Sequence, residues 1–312
     1  MKYKYLFGPV PSRRLGISLG IDLLKFKTCT FDCVYCECGK TTDLTFQRKE
    51  FVPTDDVINE LDDYLSKNPK LDFLTFSGSG EPTLHIGIGK IIEFLKRKYP
   101  QYKVALLTNA SLFSDEQVRH EIRNADIVMP SLDAVSPKIF QKINRPHKTI
   151  KINDIIGGLK TFREEYSGEI WLEIFLLEGL NSSENELNLI KETVEKIKPT
   201  NIQLNSLDRP GTEDWCEPIS EDTLKKVTEK FSSLPIEIIS KFQRRDEIES
   251  FDKNISDRIL ATIQRRPCTA EDLSQSLGVH INEISKYLQS LLEKKVIEPK
   301  HLERGTFFKI TR

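Results

Sequence analysis

Cys29, Cys33 and Cys36 lie in the stretch TCTFDCVYCECG, residues 28–39, with three residues between the first pair and two between the second. Three thiolates this close can hold an inorganic cluster. A four-iron cluster normally takes four cysteine ligands, so a local trio leaves one iron open to bind something else. Tyr35 stands just before the third cysteine, where its ring could lie beside whatever occupies that iron. Cys38 admits other readings: the fourth ligand of a tetrahedral zinc site, an alternative cluster ligand, or a spare buried thiol. Cys216 and Cys268 are isolated in sequence and read as structural, with Cys216 in a loop placed to hang over the mouth of the fold.

The elements that position the cysteines are legible as alternating apolar runs. A strand over 17–23 delivers the chain to the cysteine loop, after a Gly-Pro and Pro-Ser turn region in which Arg13 and Arg14 could face a phosphate or carboxylate. Thr54 reads as the N-cap of the next helix, and a strand over 71–76 ends in Ser77-Gly78-Ser79-Gly80-Glu81-Pro82. Glycines there let the backbone turn and expose its polar groups to a ligand. A helix over 88–98, a strand over 104–108 ending at Asn109, and a helix with Ser114 and Gln117 as capping box follow. A strand over 126–132 then leads to Ser131 and Asp133, and a short helix starts at Ser136-Pro137. Beyond the turn at 144–147 come a helix over 151–166, a strand over 169–177 apolar enough for burial on both faces, a helix over 184–197 and a strand over 201–207. A looser region with a helix near 221–231 and a strand over 236–239 completes the pattern.

Six rounds of strand and helix predict an α/β fold, a parallel sheet with helices outside, closed or partly closed into a barrel. Ligands of such sheets gather at the carboxyl ends of the strands. Gly78 to Glu81, Asn109, Ser131, Asp133 and Asn205 all follow apolar runs and fall there together.

The chain has 312 residues, 38% of them hydrophobic and 30% charged, with a net charge of -1. That composition suits a globular chain of two units rather than a disordered or membrane one, and offers no whole-chain case for nucleic acid. Without an apolar run of membrane length or a signal-peptide core, a cytoplasmic location is expected, where six cysteines point to metal or redox chemistry rather than disulfides. The expected division is a large domain over 1–240, a polar connector over 241–251 and a compact module over 252–312. In that module a helix over 255–264, a second capped at Thr269, a turn at Gly278, a third over 280–294 and two strands around Arg304-Gly305 resemble a winged helix-turn-helix. The module holds eleven Lys or Arg against eight Asp or Glu. It is slightly basic, so RNA, DNA and protein contact all remain open.

Over residues 1–240 the motifs together resemble the radical S-adenosylmethionine (SAM) superfamily. The resemblance implies a partial (β/α)6 barrel and a 4Fe-4S cluster on Cys29, Cys33 and Cys36. It implies SAM contacts at Tyr35, Gly78, Ser79, Gly80, Glu81, Asn109, Ser131 and Asp133, with Arg145 and Asn205 as weaker matches. It further implies reductive cleavage of SAM to a 5′-deoxyadenosyl radical, an electron donor such as ferredoxin or flavodoxin, and hydrogen abstraction from a substrate. The N-terminal Phe-Gly-Pro-Val-Pro-Ser-Arg-Arg and the Gly-Glu-Pro-Thr-Leu run look like a branch similar to the wyosine-forming tRNA enzymes, which makes a tRNA base the concrete substrate expectation. The alternatives are a radical SAM activase acting on a protein or small molecule, and a metal-sensing winged-helix DNA-binding regulator.

Overall fold

The computed structural model describes residues 3–12, 14–25, 27–36, 38–207, 211–213, 215–239, 255–279, 281–302 and 305–311. Arg13, the connector at 241–251, the boundary at 252, His280 and Arg304 lie outside the described residues.

The strands are β1 (Leu6–Ser12), β2 (Gly16–Ile21), β3 (Thr28–Cys29), β4 (Asp43–Leu44), β5 (Phe73–Phe76), β6 (Lys103–Thr108), β7 (Ile127–Pro130), β8 (Glu169–Leu176), β9 (Asn201–Ser206), β10 (Ile236–Ile238), β11 (Ile297–Leu302) and β12 (Gly305–Ile310). The helices are α1 (Thr54–Leu65), α2 (Ile88–Lys98), α3 (Glu116–Ile122), α4 (Pro137–Ile143), α5 (Ile152–Glu165), α6 (Glu184–Ile197), α7 (Glu221–Lys230), α8 (Ile255–Arg265), α9 (Ala270–Leu277) and α10 (Ile281–Glu293). The main sheet runs β1-β2-β5-β6-β7-β8-β9-β10. From β2 to β10 every pairing is parallel, and only β1 runs antiparallel, against β2. This is the α/β fold with a parallel sheet that the alternating runs predict, with a small antiparallel hairpin, β11–β12, near the C-terminus.

Alternation along each strand sorts the side chains into two sets. Leu74, Leu106, Val128, Leu172, Ile174 and Ile202 belong to the large core shared with the helices. Their neighbours Phe73, Ala105, Ile127, Met129 and Trp171 form a separate cluster with Leu15, on the opposite face of the sheet. Ile259, Ile263, Leu273, Leu277, Ile284, Leu288 and Ile297 make a third, belonging to α8–α10 and the hairpin.

Three local expectations are corrected. The Gly-Pro and Pro-Ser region is the strand β1, whose register against β2 shifts between Phe7 and Val10; an edge strand accommodates proline because one row of its N–H groups has no ladder partner. Thr54 is the first residue of α1 rather than its cap: Pro53 holds the cap position, while Thr54 donates through N and Oγ1 to Glu50 at 2.9 and 2.6 Å. The cap of α3 is Asp115, whose carboxylate accepts the Gln117 N–H at 2.8 Å, one residue beyond the expected Ser114.

Candidate functional site

The cysteine loop leaves β2 and crosses the carboxyl ends of β5, β6 and β7. Its placement is fixed by backbone bonds: Val34 N to Ile143 O at 2.9 Å, Asp32 N to Asn144 O at 3.1 Å, and Glu81 N to Thr28 O at 3.3 Å. Gly80 lies so close to the Thr28 carbonyl that no Cβ fits between them. A side chain there would push the Gly78–Glu81 turn off the cysteine loop.

Cys29, Cys33 and Cys36 are half-buried and reduced. Each Sγ has a nitrogen donor: Asn109 Nδ2 at 3.7 Å from Cys29, Asn144 Nδ2 at 3.5 Å from Cys33, and Lys27 Nζ at 2.7 Å from Cys36. Loss of solvent raises the Cys29 thiol to about 12, against the pull of Lys27. Cys33 is raised well above the ordinary range, first by desolvation and then by Cys36 and Cys29. Cys36 moves the other way, lowered by its hydrogen bond with Cys38 first and by Lys27. Lys27 is 3% exposed and also donates to Gly39 O at 2.8 Å. Burial works against its charge, but the thiols of Cys36, Cys38 and Cys29 outweigh burial and hold its pKa above the usual lysine range. A mutually facing set of thiols beside a fixed cation suits a bound group that keeps all three as thiolates.

Among the described residues no three His, Cys, Asp or Glu side chains converge on a single metal ion. A cubane cluster needs no such convergence, since each cysteine ligates a different iron, and the donor set fits it. Cys38 Sγ lies 3.5 Å from the Gly78 carbonyl, between the cysteine loop and the glycine turn.

The structure puts the other expected residues around this loop in distinct roles. Tyr35 stacks on Phe175, centroids 4.1 Å apart, and its hydroxyl donates to Asp133 at 2.5 Å. Asp133, 2% exposed, also accepts from Asn144 Nδ2 at 2.7 Å and Phe175 N at 3.0 Å. Glu81 is buried, and its carboxylate accepts from Thr83 N and Oγ1, Thr108 Oγ1 and Asn109 N. That carboxylate ties the turn to the end of β6. Asn109 Nδ2 donates to Thr30 Oγ1 at 2.7 Å, directly beside Cys29. Ser131 bridges to Glu173, which in turn pairs in register with Gln203. These three share one level of the sheet, with Asn205 and Phe175 on the next level up.

Arg145, at φ 42, bonds Glu213 at 2.5 Å and lies 3.9 Å from Asp32. Glu213 belongs to a strap that covers the cysteine loop, with Glu213 N to Val34 O at 3.0 Å and Thr212 Oγ1 to Cys36 O at 3.2 Å. Cys216 is half-buried in this strap, and Cys268 is buried in the core of the C-terminal module. Four residues had no place in the sequence reading of the site: Lys27, Asp22, Asn144 and Glu173. Arg14 meets a carboxylate, and it is Glu173. The spacing of Lys27 two residues before Cys29 was the available signal for a cation at the thiols.

Asp133 carries a pH prediction for the cluster-free protein. Burial raises its carboxyl from 3.8 to about 6, against the hydrogen bonds from Tyr35 and Asn144. The folded state therefore binds the proton more tightly than the unfolded one. Its contribution is full below the ordinary aspartate range and is lost as pH rises through about 6, a change on the order of 3 kcal/mol. Asp133→Asn is expected to flatten that part of the stability profile, which melts from about pH 4 to 8 would show.

The comparisons with known proteins agree with this geometry. A family model described as the radical SAM superfamily matches residues 23–189. A UPF0026 protein of Methanocaldococcus jannaschii, MJ1312, is 35% identical over 278 residues, covering 87% of this chain and 85% of that protein. A protein of Brachyspira hyodysenteriae named GTPase Obg is 34% identical over 297 residues, 94% of this chain, but the chain spans only 43% of that protein's length. Among solved structures, Streptococcus suis SuiB bound to S-adenosylmethionine aligns with a TM-score of 0.54 at 13% identity, over 70% of this chain and 50% of SuiB, a likeness of fold. Family model and relatives together establish that the chain belongs to the radical SAM superfamily and is a relative of the UPF0026 proteins.

Proposed function

We propose that the chain is a radical SAM enzyme that holds one 4Fe-4S cluster on Cys29, Cys33 and Cys36 and cleaves SAM reductively to a 5′-deoxyadenosyl radical, which takes a hydrogen atom from a substrate. The observation that carries this reading is the trio of facing thiols, each with a nitrogen donor, set against the Gly78–Glu81 turn at the carboxyl ends of parallel strands. When bound, the cluster supplies the single electron that breaks the bond between sulfur and C5′, with ferredoxin or flavodoxin as the proposed donor.

The chain's own residues supply the setting. Gly78, Ser79 and Gly80 present backbone polar groups to the methionine end of SAM, while Glu81 locks the turn that carries them. Ser131 and Asp133 stand at the end of β7 for the ribose, and Tyr35 and Phe175 form an aromatic wall. Thr212 and Glu213 bond the loop at Cys36 O and Val34 O, and a segment held there limits the access of water on that side.

For the substrate we propose a tRNA base, presented with help from the slightly basic C-terminal module, read as a winged helix. Gln203 supports a hydrogen-bonding substrate: it is fully buried, its Nε2 donates to Glu237 at 3.1 Å, and its Oε1 has no partner among the described residues, beside Glu173 at the same level of the sheet. An unpaired buried acceptor favours a ligand that brings an N–H donor, as a nucleobase does. The test is anaerobic reconstitution with iron and sulfide, reduction, and assay of 5′-deoxyadenosine from SAM with and without tRNA. SAM cleavage stimulated by tRNA, at a tRNA affinity that falls with salt, supports both parts. Cleavage indifferent to tRNA removes the substrate proposal and favours a protein or small-molecule substrate. Zinc binding with no cluster removes the enzyme and favours a metal-sensing regulator.

Lys27 yields a spectroscopic prediction on the same preparation. A buried cation hydrogen-bonded to a cluster thiolate stabilises the more negative, reduced state. Lys27→Met is expected to lower the cluster midpoint potential by about 100 mV, a Coulomb term of a few kcal/mol at short range. Lys27→Arg should retain most of it, as read by electron paramagnetic resonance during a redox titration.

A further inference from the structure

Asp22 follows β2 at the same end of the sheet as the cysteine loop and is 7% exposed. Its Oδ2 accepts from Ser79 Oγ at 2.7 Å, and its Oδ1 from Leu24 N at 3.3 Å. Gly78, at φ 153, presses so closely on it that a Cβ would run into the carboxylate. One carboxylate therefore shapes the Gly78–Ser79 turn from behind. Its counter-charge comes from 243 positions away: Arg265 Nη1 donates to Asp22 Oδ2 at 2.8 Å.

Arg265 is the last residue of α8, in the C-terminal module. Its guanidinium lies over the Phe7 ring, 4.2 Å from the centroid, and α9 packs on β1 beside it. Cation over ring and cation on carboxylate together fix the guanidinium in one place. A buried carboxylate that loses its counter-charge is strongly disfavoured where it stands, and turns toward water. That turn releases Ser79 and the segment it holds.

We infer that Arg265 is a positioning residue for the SAM site: through Asp22, the C-terminal module holds the Gly78–Ser79 turn in the shape that receives the cofactor. This rests on the assignment of that turn to SAM. Module docking and SAM binding are then linked, and linkage is reciprocal: whatever the docked module adds to SAM affinity, SAM adds to docking.

The test uses the full chain with its cluster reconstituted anaerobically and measures SAM binding by equilibrium dialysis. Arg265→Ala is expected to bind SAM about tenfold more weakly, within the usual range of coupling between sites. Arg265→Lys should recover much of the loss. In an Asp22→Asn background, Arg265→Ala should add little, because the route through the carboxylate is already cut. In the wild type, SAM should slow hydrogen exchange in α9 and β1, and Arg265→Ala should abolish that protection. If Arg265→Ala does not fold, Arg265→Gln keeps part of the aliphatic stem, loses the charge and carries the same comparison. Equal SAM affinity in wild type and charge-lost variant overturns the inference and leaves the proposed function standing. A full tenfold loss that persists in the Asp22→Asn background overturns the route through Asp22. A wild type that forms its cluster and binds no SAM overturns the assignment of the turn, and the inference with it.

Discussion

Cys33→Ala is expected to purify as a folded protein that retains almost no iron after reconstitution and produces 5′-deoxyadenosine only at background. Cys33 is the middle thiol of the three: it is desolvated, faces both Cys36 and Cys29, and accepts from Asn144, which also binds Asp133. Two remaining thiolates cannot hold a cubane that already lacks a fourth cysteine. Removing one sulfur from a half-buried loop position costs the fold far less, because the loop is held by backbone bonds at Asp32 and Val34. Cys38→Ala is the informative partner. Its sulfur lies against the Gly78 carbonyl and interacts with Cys36, so its loss should disturb SAM binding and leave the iron in place. If Cys38→Ala strips the iron and Cys33→Ala retains it, the ligand set proposed here is wrong.

What was legible in the sequence was whatever a local pattern carries. The bounds of α2 and α6 follow directly from apolar spacing, and both helices run over the residues that the spacing marks. The motif loop announces itself because three cysteines in eight residues have few other uses. The capping box of α9 was half legible: Thr269 does accept from Asp272 N, with Asp272 returning the bond.

What was not legible depends on pairs far apart in the chain. β1 was hidden by Pro9 and Pro11, which punctuate a sequence locally but are tolerated once an antiparallel neighbour is present on one side only. In β8 the apolar run suggests burial on both faces and masks the alternation of Trp171, Glu173 and Phe175. Glu173 projects from the same face as those aromatics and takes Arg14 as its partner. Arg265 and Asp22 share no motif at all. Glu81 is legible as part of a glycine turn, while the four donors of the protein itself that its carboxylate takes up come from Thr83, Thr108 and Asn109 and carry no local pattern.

That observation makes Glu81→Ala the substitution with the largest expected cost to stability. Glu81 is 2% exposed, and its two oxygens receive Thr83 N at 3.1 Å, Thr83 Oγ1 at 2.6 Å, Thr108 Oγ1 at 2.7 Å and Asn109 N at 2.7 Å. Burial raises its pKa, and these four bonds work against that rise. Truncation to alanine leaves two backbone N–H groups and two hydroxyls without the acceptor they share. Unsatisfied buried donors cost about 1–3 kcal/mol each before relaxation, so a net loss of about 4 kcal/mol is expected. For a domain of this size that is a fall in Tm of roughly 8–16 °C. Glu81→Gln keeps the shape and one carbonyl acceptor, and should lie between the two. If Glu81 instead faced the cofactor, Glu81→Ala would melt like the wild type and lose only SAM affinity; a thermal melt beside a SAM titration on the same preparation separates the two roles.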